Sequence, residues 1–401
     1  MSRSDRNASA AAFDARSGLA FVVAFGIVSL FADMTYEGMR AIAGPYLATL
    51  GASGLAVGLV AGVAELLGYT LRLASGTWAD KSRWYWPITL FGYTVQMAAV
   101  PLLALTASWP AAAALIVTER VGKAIRNPPR DVMLSRAGEH IGQGWAFGLH
   151  ELLDQTGAMA GPLIAAAVLA SHHDYRLAFA WLAVPAATTL LLVYGLHRRY
   201  PKAGALPPAP SSATAGHDGL GRAFWWYCLG AALVAFGFAD FALVSYHFTR
   251  AATVPAAWVP VFYAAAMGAA GLGSAGIGKL FDRRGLIVLL PAILLTAPFA
   301  PLSFLGGPRL AVLGTLLWGL GLGVHEATMS AAVAHLVPTH RRARAYGLFT
   351  AVFGIAWFVG SAALGALYDH SILALVIVAL GAQLLALPAI ALAGRGWRRS
   401  G

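Results

Sequence analysis

Apolar runs of roughly 20 residues, each ended by a turn or a charged stretch and then resumed, follow one another from residue 18 almost to the C-terminus. A run of that length is what a helix needs to cross the hydrocarbon core of a bilayer. The runs fall near 18–49, 53–75, 86–107, 110–127, 143–170 and 175–197, then near 223–249, 256–280, 285–305, 308–337, 344–368 and 370–393. Composition agrees, because 59% of the 401 residues are hydrophobic, 11% are charged and the mean hydropathy is +0.68. No water-exposed surface fits those values. The chain is read as an all-α polytopic membrane protein with twelve transmembrane helices in two six-helix pseudo-symmetric halves, leaving little length for a soluble domain. Its 45 Gly and 20 Pro sit inside the apolar runs, where small residues let helices pack closely. The single cysteine, Cys228, can form no internal disulfide and is assigned to lipid or helix packing.

A net charge of +11 and a pI near 10 fit nucleic acid or a membrane surface equally well, so the placement of the basic residues decides. They occupy alternate connections. After Arg3, Arg6 and Arg16 come Lys81 and Arg83, then Lys123, Arg126, Arg130 and Arg136, then Arg198, Arg199, Lys202 and Arg222. Lys279, Arg283 and Arg284 follow, then Arg341, Arg342 and Arg344, and finally Arg395, Arg398 and Arg399. The intervening connections hold only Arg176, Arg250 and Arg309, while Arg40, Arg72 and Arg120 lie inside apolar runs. The positive-inside rule then puts both termini in the cytoplasm and the chain in the cytoplasmic (inner) membrane. Nucleic acid is not needed to explain the charge. The first 16 residues lack a signal-peptide pattern and read as a cytoplasmic tail. The expected organisation is a tail at 1–17, an N-terminal half at 18–197, a polar Pro- and Ser-rich cytoplasmic linker at 198–222, a C-terminal half at 223–393 and a tail at 394–401.

An internal repeat supports the two halves. Phe31-Ala32-Asp33 recurs 207 residues later as Phe238-Ala239-Asp240, and Glu119 recurs as Glu326 at the same offset. Gly76 and Asp80 recur as Gly278 and Asp282, and Gly148-Leu149 as Gly347-Leu348.

Two six-helix halves joined by a cytoplasmic linker resemble the major facilitator superfamily, and its loop motifs can be checked. Between the second and third spans that family carries Gly-x-Leu-Ala-Asp-Arg-x-Gly-Arg. Here Gly76-Thr77-Trp78-Ala79-Asp80-Lys81-Ser82-Arg83 keeps the Gly, the Asp and a basic residue but lacks the second Gly. The copy Gly278-Lys279-Leu280-Phe281-Asp282-Arg283-Arg284-Gly285 fits better. In the fifth span Gly148, Gly157 and Gly161-Pro162 resemble the antiporter motif of the drug/proton exporters, with Ala165-Ala166 replacing its closing Gly pair. Arg120 approximates the family's fourth-helix Arg. The resemblance implies alternating access, a lean towards export, a monomer, and gating roles for Asp80, Arg83, Arg120, Gly157, Gly161, Pro162, Asp282 and Arg283. Pro128-Pro129 is expected to end the fourth helix, with Arg130 and Asp131 pairing at the surface.

Charges inside a bilayer cost about 2.5–3.5 kcal/mol each on insertion scales, so retained ones face a cavity or a partner. Asp33, Glu37, Glu65, Glu119, Glu151, Asp154, Asp240 and Glu326 all fall in apolar runs. Helical periodicity puts Asp33, Glu37 and Arg40 on one face; Gly58, Gly62, Glu65, Tyr69 and Arg72 on another; and His150, Asp154, Gly157 and Gly161 on a third. In the family, spans one, four, seven and ten line the cavity. That implies Tyr36, Arg40, Glu119, Asp240, His247, His325 and Glu326, with His150, as substrate-site candidates. Asp33 or Glu37, supported by Glu151 or Asp154, is expected to carry the proton. Such charges can instead hold helices together, for instance Glu37 with Arg40 or Glu119 with Arg120, and His325 taken alone reads better as a packing histidine. Tyr36, Trp181, Trp318 and Trp357 could contact an organic cargo.

The expected function is thus a proton-coupled secondary transporter exporting a small organic molecule, with small-molecule substrate, protons and lipid as partners. Export of a metal ion or a metal-chelating metabolite, and proton-coupled import of a metabolite, stay open. No compact His/Cys spacing marks a metal site, and no cofactor is expected. An intramembrane enzyme is disfavoured, because His150-Glu151 and His325-Glu326 lack the second His of HExxH: positions 154 and 329 are Asp and Met. No Gly-x-x-x-x-Gly-Lys-Ser/Thr loop appears, which argues against ATP-driven transport.

Overall fold

The computed structural model describes residues 15–204, 220–338 and 341–397. Much of the expected linker, 205–219, together with 1–14, 339–340 and 398–401, lies outside the described residues. The N-terminal half contains α1 (Ala15–Thr49), α2 (Gly54–Ser82), α3 (Tyr85–Leu102), α4 (Trp109–Ala137), α5 (Gln143–His172), α6 (Tyr175–Trp181) and α7 (Ala183–Arg199). The C-terminal half contains α8 (Arg222–Gly237), α9 (Phe241–Arg250), α10 (Val259–Arg284), α11 (Leu289–Thr296), α12 (Phe299–Phe304), α13 (Pro308–Leu336), α14 (Arg342–His370) and α15 (Ile372–Trp397). Three spans are each built from two helices, α6 with α7, α8 with α9, and α11 with α12, so among the described residues fifteen helices make twelve crossings. Cys228 is buried on α8, as a packing residue should be.

The fourth span corrects one expectation. Pro128 and Pro129 do not end the helix; α4 continues through both to Ala137. A proline inside a helix removes the hydrogen bond to the carbonyl four residues back. For Pro128 that carbonyl is Ala124 O, and it is instead taken by the Ser75 hydroxyl of α2 at 3.1 Å. The neighbouring helix supplies the donor that the proline lacks, and such replacement is what lets prolines persist in membrane helices. Arg130 and Asp131 do pair, at 2.8 Å, with Arg130 buried in the extended helix and Asp131 more open.

The seventh span breaks between Gly237 and Phe241. Asp240 takes an extended conformation and caps α9, its Oδ1 accepting from Ala242 N at 2.9 Å. Trp318 Nε1 donates to Ala239 O at 2.9 Å, so the backbone freed by the break finds a partner in the interior.

The halves meet along three seams: α1 with α9, α2 with α14, and α5 with α10. At the end opposite the linker they are sealed. Asp369, near the end of α14, accepts from the first two N–H groups of α2, Gly54 at 2.7 Å and Leu55 at 2.8 Å. Tyr246 of α9 donates to Ala52 O at 2.8 Å. Gly58 leaves no space for a side chain against Ser361 of α14, and Gly44 none against Ala242 of α9. Contact continues as far as Tyr69 against Gly354 and Phe353 on one seam, and Gln155 against Gly271 on another. Nearer the linker, a side chain added at Gly148, Gly276, Gly278 or Gly347 would meet nothing within 4 Å. The cross-half hydrogen bonds found among the described residues run from the sealed end to mid-bundle, and the linker end is read as the splayed one.

Candidate substrate and proton site

Within the N-terminal half, α5 lies flat along α1 because of its glycines. A side chain at Gly157 would collide with Leu30 O, and one at Gly161 with Met34 O. The face read from the sequence is confirmed, and its neighbour is α1. His150 Nε2 of α5 then reaches Ser29 Oγ of α1 at 3.3 Å and Asp154 Oδ2 at 3.6 Å. Glu151, one residue on, is exposed and accepts from Gln155 at 3.0 Å. It stands apart from this buried pair.

The face of α1 that carries Asp33, Tyr36, Glu37 and Arg40 meets α4, α2 and the broken seventh span near the middle of the bundle. Asp33 Oδ1 faces Lys123 at 3.7 Å and Arg126 at 3.8 Å. Arg126, almost wholly enclosed, also donates to Gln96 Oε1 at 2.5 Å and to the Tyr93 hydroxyl at 3.0 Å. Gln96 in turn donates to Glu119 at 2.7 Å. Tyr36 is the centre of a cationic ring: Lys123 Nζ lies 3.6 Å from its ring centroid, Arg120 5.6 Å and Arg40 5.9 Å. Arg120 also bonds the Tyr36 hydroxyl and the Glu65 carboxylate. Arg40 reaches Glu65 at 3.6 Å and Asp240 at 3.1 Å.

Two of these bonds join the halves. Arg40 of α1 pairs with Asp240 at the break of the seventh span, and the Tyr263 hydroxyl of α10 donates to Glu37 of α1 at 2.5 Å. Neither neighbour-in-sequence pairing occurs: Glu37 is bound by Tyr263 rather than Arg40, and Glu119 by Gln96 rather than Arg120. On a helix the partner nearest in sequence is not the nearest in space once other helices pack against the same face. Beside this network is a cavity of about 40 Å³ lined by Tyr36, Arg40, Glu65, Glu119, Arg120 and Asp240 with apolar neighbours. That is room for one or two waters.

The remaining candidates sit elsewhere. His247 contacts the Tyr368 hydroxyl at 3.1 Å towards the sealed end. His325 lies tilted against Phe238, 4.9 Å between centroids, and Phe238 in turn touches Trp318 and Trp357. The Glu326 side chain lies outside the described residues. Trp318 and Trp357 are buried, whereas Trp181 is 53% exposed and lines a groove with Phe31, Met34 and Ile164 on the perimeter. Pro162 lies within α5 directly after Gly161. Asp80, Arg83, Asp282 and Arg283 are exposed at the splayed end. Asp80 accepts from the Tyr85 hydroxyl at 2.9 Å. Arg83 takes the left-handed conformation, φ 59°, at the position where the family motif has its second Gly, and Gly285 fills the matching place in the other half at φ 65°.

Participants not among the sequence candidates for substrate or proton include Glu65, Gln96, Lys123, Arg126 and Tyr263. Glu65 and Lys123 were visible as charges in or beside apolar runs. Gln96 and Tyr263 carry no signal until the partner helix is known.

Comparison with known proteins agrees with this architecture. Residues 20–361 match the Major Facilitator Superfamily. An uncharacterized protein of Mycobacterium tuberculosis (strain ATCC 25618 / H37Rv) is 42% identical over 378 residues, 93% of this chain and 92% of its own. An uncharacterized MFS-type transporter of Methanocaldococcus jannaschii is 32% identical over 141 residues, 35% of each chain. Among solved structures, the nucleoside transporter NupG superposes with a TM-score of 0.76 at 14% identity, covering 92% of this chain and 99% of that one. The peptide transporter POT in complex with sulfate gives 0.76 at 15% identity, covering 94% and 95%. A bacterial homolog of the human lysosomal transporter Spinster, inward-facing and occupied, gives 0.71 at 18% identity, covering 95% and 97%. The chain belongs to the Major Facilitator Superfamily, a family of membrane transporters.

Proposed function

We propose that this protein is a proton-coupled secondary transporter that exports a small organic molecule by alternating access, working as a monomer in the cytoplasmic membrane with both termini inside. The observation that carries the reading is the pair of bonds joining the halves at mid-bundle, Arg40 to Asp240 and Tyr263 to Glu37. They lie between a sealed end and a splayed one, where a rocking motion has its pivot.

Glu37 is the proton carrier in this scheme. A hydroxyl donating to an ionised carboxylate makes a short, charge-assisted bond, and protonating the carboxylate removes the charge that strengthens it. The Tyr263 hydroxyl is placed to make such a bond to Glu37, and that bond spans the halves. Asp240 and Glu65 are worse carriers, because neutralising either leaves an arginine without its counter-charge in an apolar interior. Protonation at Glu37 therefore loosens one cross-half bond while Arg40 and Asp240 remain to be separated by cargo. Asp33, with Asp154 and His150 behind it, is the relay towards the splayed end. The lean to export rests on Gly148, Gly157, Gly161 and Pro162 in α5.

The test is flux in proteoliposomes under an imposed pH gradient, over a panel of organic anions, organic cations, siderophores and divalent metals. A cargo should move against protons in the wild type and lose its gradient dependence in Glu37→Gln. Gradient-driven flux that is unchanged in Glu37→Gln would overturn the assignment of the carrier.

A further inference from the structure

We infer that the cargo of this site is an organic anion whose carboxylate is gripped by Arg40 and Arg120 in place of Glu65; this rests on the transport reading above.

One carboxylate in the site is shared by two arginines. Glu65 of α2 contacts Arg120 of α4 and lies 3.6 Å from Arg40 of α1, so guanidiniums from two helices converge on an acid supplied by a third. Paired guanidiniums are the geometry that recognises a carboxylate. Two other acids of the site are turned to neutral donors, Glu37 to Tyr263 and Glu119 to Gln96. Arg40, Arg120 and Lys123 gather about the Tyr36 ring, with Asp33 3.7 Å from Lys123.

Access follows the same sign. Arg72 stands seven residues after Glu65 on the same face of α2, two turns towards the splayed end. It is exposed, and it has no ion pair within 4.0 Å among the described residues. An anion entering from the splayed end meets this unpaired cation first and the pair Arg40 and Arg120 next. Glu65 and Asp240, two of the acids lining the cavity, already touch arginine, so a cationic cargo would have to compete with those arginines for them. The third, Glu119, is held by Gln96. The cavity of about 40 Å³ is too small for any such cargo as it stands. Binding must displace Glu65 from Arg120, and the charge of the site stays constant when Glu65 takes up a proton as the cargo carboxylate replaces it.

The experiment is uptake of matched labelled probes into proteoliposomes: benzoate, phenylacetate and citrate against benzylamine, tetraphenylphosphonium and uncharged benzyl alcohol. It is run on wild type, Arg120→Gln, Glu65→Gln and Arg72→Gln. At least one acid should accumulate, Arg120→Gln should lower its kcat/KM at least tenfold, and Glu65→Gln, by removing the competitor, should lower its KM several-fold. Arg72→Gln, at an exposed position with no ion pair, should raise KM with kcat unchanged, which loss of folding would not mimic. Accumulation of the cations or the alcohol without the acids keeps the transport reading and overturns this one. Acid transport indifferent to Arg120→Gln and Arg72→Gln also overturns it. Accumulation of none of the probes counts against both readings.

Discussion

Asp240 holds two bonds that substitution can separate. One oxygen caps α9 at Ala242 N and the other meets Arg40. Asparagine keeps an acceptor for the cap but loses the charge; alanine loses both. Breaking a buried ion pair by removing one partner costs about 3–5 kcal/mol, and losing an N-cap about 1 kcal/mol more. Thermal unfolding in detergent should therefore rank wild type above Asp240→Asn and Asp240→Asn above Asp240→Ala. Equal melting of the two variants would show that the cap contributes nothing. Arg83 invites the opposite change, because a non-glycine residue in the left-handed region is strained by about 1–2 kcal/mol. Arg83→Gly should raise the melting temperature, and a fall would mean that the Arg side chain makes contacts worth more than the strain. At this scale the sequence revealed which residues matter better than how they pair. Asp33, Glu37, Arg40 and Asp240 were legible as charges inside apolar runs. The partners of Glu37 and Glu119 were not, because each comes from another helix.

Among the elements, α4 depends most on a neighbour. Its two internal prolines are tolerated with Ser75 filling the bond that Pro128 cannot make. Leaving a buried carbonyl unsatisfied costs about 1–3 kcal/mol. Ser75→Ala should lower the stability of the protein by that amount in a thermal melt, while Thr77→Ala, whose hydroxyl bonds only its own helix at Leu73 O, should change it little. Equal effects would remove Ser75 from the account. Hydropathy located the spans within a few residues, because length and apolarity are local properties. It ended α2 seven residues early, at 75 rather than Ser82, and it ended α4 too early and ran through the break in the seventh span, the last two because they depend on hydrogen bonds from elsewhere. A local hint existed for the break: Gly237 followed by Asp240 is a helix stop and then an N-cap, hidden inside an unbroken apolar run.

For the whole molecule the issue is which end is sealed. Asp369 closes the end opposite the linker by accepting from the free N–H groups of α2, with the positive end of that helix dipole favouring its charge. Asp369→Ala should shift the population towards the state closed at the linker end. The shift would be read as a shorter distance between spin labels at Gly148→Cys and Gly276→Cys, placed in a Cys228→Ala background on helices from opposite halves. An unchanged distance would make Asp369 a local cap with no part in the seam. The two-half plan was legible from the repeat that sets Asp33 against Asp240, yet the repeat did not show that Asp240 sits in a broken helix and Asp33 in a continuous one.

The same label pair gives the most direct test of the central claim, that a proton on Glu37 controls the pivot between the halves. Its distance distribution is measured by pulsed electron resonance across a range of pH, with and without Glu37→Gln. The account predicts two populations whose ratio changes with pH in the wild type and is fixed in Glu37→Gln. A wild-type distribution that stays the same at every pH, or a variant that still responds as the wild type does, would contradict it.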